Sequence, residues 1–530
     1  MIKNKKNVAA GALAATLTLT IPLVLFRKKE THQTANPCTQ QQCTAYLQHA
    51  NTLHEKKDYA QAASFYMKAI KTNPKVAQAH YNLGLTLEKL DQNLQALAAF
   101  RKAIEIDPHY LNAHLRSIVI LQKLQRYPEA QALLEKALAL DPNNPTIHLL
   151  KVSILYTQGQ LDSALSLVHD LAKKHPQIPQ AHVILGAIYE KLNDFQNAYN
   201  SYTKAIALEP NNPKHHVALA DACIGLGNYS QWSREYEWRW QSTPPINPAI
   251  APLWDGSSLK NKKILVVGEN GFGDTIQFIR FVPYLKKQGA YVIVQAQKPL
   301  KALFSLCTYI DQVITKGDPI PSVDCMTSVM SLPYYFPITQ KTIPNKPFLT
   351  TPISLTQEWK KYLAQDKKFK VGLCWQASAM DACSVPQARR TMCFELMAKL
   401  TKTKNVSFYS LQKEWPREQL KKYGIKDFGA DFDVSHGAFM DSAAIMKNID
   451  LIITVDTVTA HLAGALNVPV WVLTPVAADP RWMLNRSDTP WYPSMTFFRQ
   501  KKMGDWESVI QLVSASLEKK ANKNLTKNDY

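Results

Sequence analysis

A proline stands at positions 74, 108, 142, 176 and 210, each 34 residues after the last, and an alanine keeps the same step at 62, 96, 130, 164 and 198. A fixed period of this length constrains the fold strongly, because one short repeat buries its apolar face only against the next, which gives a solenoid of stacked helix pairs. The columns have physical meaning. In the repeat that ends with the turn at Pro108, Leu83, Gly84 and Leu87 fall on a first helix and Ala96, Phe100 and Ala103 on a second. Small residues belong where two helices cross closely, and Tyr66, Phe100 and Tyr202 fill the space beside them. Each Asp-Pro or Asn-Pro pair ends a helix, since proline disfavours helical geometry in the residue before it.

This pattern is identified as that of tetratricopeptide repeats. Five fit in register, at 43 to 76, 77 to 110, 111 to 144, 145 to 178 and 179 to 212, and a sixth begins at 213 and dissolves after Tyr229. The third and fourth depart from the pattern where Ile118 and Val152 replace a small residue. The concave face of such an array holds peptides or proteins. His80, His114, His148, His182 and His216 recur at one repeat position, but helices packed about 8 to 10 Å apart put equivalent residues too far apart to share a metal ion, so packing or a place at the solvent edge is their expected role.

The 530 residues leave room for several domains, and 46% hydrophobic content excludes a mostly disordered chain. The formal charge of +20 comes from scattered lysines without a nucleic-acid motif. A basic surface, anionic diphosphates or an anionic leaflet account for it, and no nucleic-acid partner is expected. Residues 8 to 26 carry no charge and suffice as a helix to cross a bilayer core of about 30 Å. Phe26 runs straight into Arg27, Lys28 and Lys29, which favours an uncleaved anchor over a removed signal peptide. The eight cysteines lack the spacing of a disulfide framework or a zinc site, which favours a body in the cytoplasm. The expected divisions are an anchor at 1 to 29, a polar linker at 30 to 42, the solenoid at 43 to 240 and a basic tail at 519 to 530.

Pro244, Pro245, Pro248 and Pro252 mark a linker over 241 to 261, after which the pattern changes. Ile264 to Val267 reads as a buried parallel strand, Gly268 to Gly273 as a turn, Thr275 to Gln288 as a helix and Tyr291 to Gln295 as the next strand. Strand, glycine turn, helix, strand opens a doubly wound sheet. A second set follows, with strands at 370 to 375, 407 to 411, 451 to 455 and 470 to 473 and helices at 394 to 400, 442 to 447 and 457 to 466. Two α/β lobes, 262 to 352 and 353 to 518, imply a cleft lined by the loops after Val267, Trp375, Leu411 and Val455.

These loops carry a second resemblance. Trp254-Asp255-Gly256, Gly271 to Phe278, Ser410 to Lys413, Asp456-Thr457 with Ala460 to Ala465, and Asp488 to Pro493 resemble bacterial tetratricopeptide proteins with a glycosyltransferase domain. That domain is similar to heptosyltransferases and more distantly to O-linked N-acetylglucosamine transferases. The resemblance implies a GT-B fold of two Rossmann-like lobes and transfer from a nucleotide sugar, a co-substrate, with no further cofactor and no metal. It assigns Asp274 as catalytic base, with a helix cap as its structural alternative. Gly271, Gly273, Arg389, Arg390, Gln412, Asp456, Thr457, Thr459 and His461 become donor-site candidates, with Asp456 on sugar hydroxyls and the arginines on phosphates. Residues 378 to 388 depart from the family's usual Asn-rich, basic stretch. Asp431-Phe432-Asp433 matches a metal triplet only by its letters and reads as surface loop. The first glycine turn lacks the third glycine of a dinucleotide site. The chain is thus expected to be a membrane-anchored transferase in a bacterial inner membrane, its body cytoplasmic, acting on a protein or glycan acceptor bound by the repeats. The rival expectation is a scaffold with a degenerate transferase domain.

Overall fold

A computed structural model describes residues 37–528 apart from 243, 245, 246, 248, 378–389, 414, 415 and 485. The expected anchor at 8 to 26 lies outside the described residues, and among those described no helix is long and apolar enough to cross a membrane. The described residues fall into two compact units, one up to Ile188 and one from Tyr189 onward.

The first unit consists of paired helices, beginning Pro37–Glu55 with Tyr59–Thr72, Ala77–Lys89 with Asn93–Ile106 and Leu111–Lys123 with Tyr127–Leu140. The first helix already starts at Pro37, so the end of the expected polar linker is helical, and Cys43 is buried in the first core cluster. Ala62, Ala96, Ala130 and Ala164 are fully buried, as the period requires. A Cβ on Gly84 would stand 2.5 Å from the Phe100 ring, so this crossing admits no side chain. Each hairpin between paired helices turns through one left-handed residue, Lys57, Asp91, Gln125 and Gly159. Their types differ, which hid this column from the sequence. The histidine column also has its explanation here: Nε2 of His80, His114, His148 and His182 lies 2.8 to 3.0 Å from the carbonyl oxygens of Pro74, Pro108, Pro142 and Pro176. Each ring ties a helix to the turn that precedes it.

The second unit opens with further helices of the same kind, Phe195–Leu208, Pro213–Gly225 and Tyr229–Tyr236. The last two pair as a sixth, degenerate repeat whose second helix has 8 residues against 14 in the repeat before it, so the helical pattern runs on from Tyr229 only as far as Tyr236. Trp232, Phe278 and Trp491 form an aromatic cluster with ring centroids 5.7 Å (Trp232 to Phe278) and 5.5 Å (Phe278 to Trp491) apart. Arg239 is buried, its Nη2 2.8 Å from Glu269 Oε1 and donating to Ser331 Oγ. The end of the repeats is therefore cored together with the α/β lobes. The division between compact units falls within the fifth repeat and not at the proline-rich segment. That segment is itself partly structured: Leu253 bridges Met326 in parallel and Trp254 N–H donates to the Met326 carbonyl.

Strands β1 (Lys263–Val267), β2 (Tyr291–Ala296), β3 (Gln312–Thr315) and β4 (Cys325–Ser328) form a parallel sheet in the order β3-β2-β1-β4. Strands β5 (Phe369–Cys374), β6 (Val406–Ser410), β7 (Leu451–Val455), β8 (Val470–Thr474) and β9 (Met495–Arg499) form a second, in the order β6-β5-β7-β8-β9. The strand order reverses between β1 and β4 and between β5 and β7, which opens a crevice at the carboxyl ends of these strands. The helix expected over 275 to 288 is broken into Phe272–Phe278, a 3₁₀ turn Ile279–Phe281 and Val282–Lys287. Pro283 lacks the N–H that a continuous helix would use there. At the other end Trp506–Asn528 is one helix with Ala521 buried, so the expected basic tail is largely its last turns.

Candidate active site

The loop after β1 turns through Asn270, at φ 58°, into the helix Phe272–Phe278. Asp274 lies in the first turn of that helix, and its Oδ2 accepts the Gly271 N–H at 3.0 Å. This is the capping role. Its other oxygen meets the second lobe: Oδ1 lies 2.7 Å from Arg481 Nη2. Arg481 follows β8, and its guanidinium is held by Nε to Asp479 Oδ1 at 2.8 Å and Nη1 to Gln277 Oε1 at 2.8 Å. Burial opposes the arginine's charge, but Asp479 and Asp274 outweigh it and hold its pKa well above the ordinary value. Burial likewise raises the Asp479 pKa, and the Arg481 charge reverses that, leaving the carboxyl low. The pair is charged on both sides.

The helix Val458–Ala465 starts after β7, capped by Thr457, whose hydroxyl accepts the Thr459 N–H. Thr459 Oγ1 donates to Cys374 Sγ at 3.5 Å, which ties this cap to the end of β5. Gln412, after β6, accepts the Gln376 N–H at 3.0 Å through Oε1. The loops after β5, β6 and β7 therefore converge as expected within the second lobe, on a polar rim of Gln376, Gln412 and Thr457.

His461 is buried, its Nδ1 3.1 Å from the Tyr492 hydroxyl. Burial, reinforced by the Arg481 charge, holds it well below the ordinary imidazole range, so it is neutral. Gly273 packs on this ring, bringing the two lobes into contact at the mouth of the first glycine turn.

Asp456, expected on sugar hydroxyls, is buried at the end of β7, and its Oδ2 accepts the Trp482 indole N–H at 3.0 Å, which gives one of its two oxygens a partner within the protein. Burial raises its pKa, opposed by the Arg390 charge. Arg390 also acts on Asp479 and His461, which places its charge with this cluster. Arg389 lies outside the described residues. Asp433 is not a surface residue: Oδ1 accepts the Ser442 N–H at 2.9 Å, and Oδ2 the Ser442 hydroxyl, beside Asp441. It fixes a loop to a helix start, and among the described residues no group of acidic, histidine or cysteine side chains could hold a metal.

The sequence reading missed Arg481, Asp479 and Trp482, and took Gln277 only as part of the Gly271 to Phe278 motif. Arg481 lies a few residues before the Asp488 to Pro493 motif, and no periodicity marks it. Arg280 was missed too; it is buried, donating to the carbonyls of Pro344 and Trp491 at 2.8 and 2.6 Å, and so joins the lobes.

Comparison with known proteins identifies the repeats. Residues 44–76, 77–110, 121–188 and 179–212 match family models described as tetratricopeptide repeat, so this stretch carries such repeats. Protein FlbA of Caulobacter vibrioides is 25% identical over 337 residues, which cover 57% of this chain and 54% of that protein. The match thus spans about half the length of this curated relative. Among solved structures, TTC0263 of Thermus thermophilus, a thermophilic tetratricopeptide protein, is 21% identical with a TM-score of 0.31, covering 34% of this chain and 99% of its own. PilW, a type IV pilus biogenesis factor, is 24% identical with a TM-score of 0.35, covering 40% of this chain and 96% of its own.

Proposed function

We propose that the α/β lobes transfer a sugar from a nucleotide-sugar donor to a hydroxyl of a protein or glycan acceptor recruited by the repeats, within a GT-B domain. The observation that carries this reading is the contact of Asp274 with Arg481 at the carboxyl ends of two parallel sheets. Transfer needs a carboxylate to take the acceptor proton and a cation to hold the departing diphosphate, and these two side chains supply one of each. In the step we propose, the acceptor oxygen gives its proton to Asp274 and bonds to the anomeric carbon. The bond from that carbon to the diphosphate breaks, and a nucleoside diphosphate leaves with the electron pair. Thr457 and the amides after β7 offer a further phosphate contact.

The test is turnover by the full-length protein of a donor found by screening nucleotide sugars for binding. Asp274→Asn keeps the hydrogen-bonding shape but cannot act as an effective base, and should lower turnover by roughly 100-fold or more. Full activity in this variant removes Asp274 from the mechanism.

A second reading, a scaffold that binds a nucleotide sugar without using it, is favoured by one observation: both Asp274 oxygens are already engaged, by Gly271 and Arg481. A donor that binds and is never consumed would choose it. For the membrane, we propose that residues 8 to 26 hold the chain in a bacterial inner membrane with its body in the cytoplasm. Protease added to intact spheroplasts should then spare that body, and its digestion from outside would overturn the topology.

A further inference from the structure

The Asp274–Arg481 contact joins two groups that the proposed reaction needs apart, one free to accept a proton and the other free to hold an anion. We propose that Arg481 is the diphosphate-binding cation, and that it guards Asp274 until the diphosphate of a bound nucleoside-diphosphate ester takes the place of the carboxylate. This inference rests on the transfer reading for its biological meaning, though not for its test.

Three features of the site support an exchange over a fixed structural pair. Arg481 has two anchors besides Asp274: Nε stays on Asp479 and Nη1 on Gln277, so the guanidinium keeps its position when Nη2 changes partner. Asp274 retains its Gly271 N–H contact through Oδ2 and is held in place when Oδ1 is released. Gln277 is fully buried, and its Nε2 has no partner among the described residues, which leaves an unused donor beside the arginine. A buried unused donor is costly unless a ligand satisfies it. A diphosphate brings more negative charge than one carboxylate and accepts hydrogen bonds from several directions, and guanidinium geometry fits phosphate and carboxylate equally well. The neutral His461 adds no competing positive charge and no repulsion toward the anion.

The exchange predicts a gain that damage to the fold cannot produce. Inorganic pyrophosphate, without divalent cations, is titrated calorimetrically into the full-length protein and its variants. Asp274→Asn removes the competing carboxylate and should tighten pyrophosphate at least 5-fold. Arg481→Gln should weaken it at least 10-fold, and Asp274→Asn combined with Arg481→Gln should bind no better than Arg481→Gln alone. An unchanged or weakened affinity in Asp274→Asn overturns the proposal, as does wild-type affinity in Arg481→Gln or no pyrophosphate binding by the wild type. If Arg481→Gln fails to fold, as judged by circular dichroism, the Asp274→Asn arm decides alone. The two readings fail separately. Tightening in Asp274→Asn with no nucleotide sugar ever consumed keeps the exchange and ends the transferase reading. Turnover with an affinity indifferent to Asp274 does the reverse.

Discussion

Gly273 lies against the His461 imidazole so closely that a Cβ added to it would stand 2.6 Å from the ring's Cδ2 and 3.0 Å from Nε2. The two residues belong to different lobes, and the missing side chain is what lets the helices Phe272–Phe278 and Val458–Ala465 meet. Gly273→Ala should therefore destabilise the α/β unit by about 1 to 3 kcal/mol, the usual range for overpacking, in urea or thermal unfolding. His461→Ala in the same chain should recover part of that loss. Two effects that simply add would show that the contact is not where the strain falls.

Asp456 separates a structural from a ligand role. Its Oδ2 accepts the Trp482 N–H in a buried site, so Asp456→Ala orphans the indole and should cost about 1 to 3 kcal/mol of stability. Asp456→Asn keeps an acceptor and should stay close to the wild type in both stability and donor affinity. A large loss of donor affinity in a stable Asp456→Asn protein would return the carboxylate to the sugar.

The buried Arg239–Glu269 pair and the Trp232–Phe278 stack bind the last repeat to the lobes. A protein beginning at 189 should be soluble and unfold cooperatively, whereas one beginning at 241 should aggregate, having lost the partner of Glu269 and the cover over Phe278. Size-exclusion chromatography of the two distinguishes them. A well-behaved monomer from 241 onward would show that the lobes are cored on their own.

Glu190 makes stability depend on pH. Its Oε1 is buried without a partner among the described residues, and burial, then the Asp221 charge, push its pKa up, against Lys191 and the Tyr202 hydroxyl. Asp221 itself stays open to solvent, so the prediction rests on Glu190. The folded protein keeps a proton that the unfolded chain gives up. The penalty is therefore absent in acid and grows as pH rises from the ordinary carboxylate range toward the raised folded value, and stability falls across that window. Glu190→Gln should raise the melting temperature at about pH 8.5 and leave it nearly unchanged at about pH 4.5. An equal change at both would mean that the carboxyl is not the cause.

Much of this protein is legible along the chain. The period alone determines the helix pairs, because Ala62, Ala96, Ala130 and Ala164 recur wherever two helices must touch, and a local pattern repeated at fixed spacing leaves one way to stack. The same holds for the strands at 264 to 267 and 451 to 455, whose apolar runs between turns are buried as expected. The glycine turn and the cap at Asp274 follow from local geometry as well. Strands β3, β4 and β9 were missed, since short segments such as Cys325–Ser328 take their form from the neighbour they pair with and not from their own residues. The site was only half legible for a related reason. Asp274 carries a motif, while Arg481 acquires its meaning from Asp274, Asp479 and Gln277, residues brought to it from two lobes. Asp456 looks the same in the sequence whether it faces a sugar or an indole. Local sequence determined which segments form and where they turn; the packing of the lobes decided which charged groups meet, because an ion pair or a buried hydrogen bond depends on distances that residues far apart in the chain acquire only in the folded protein.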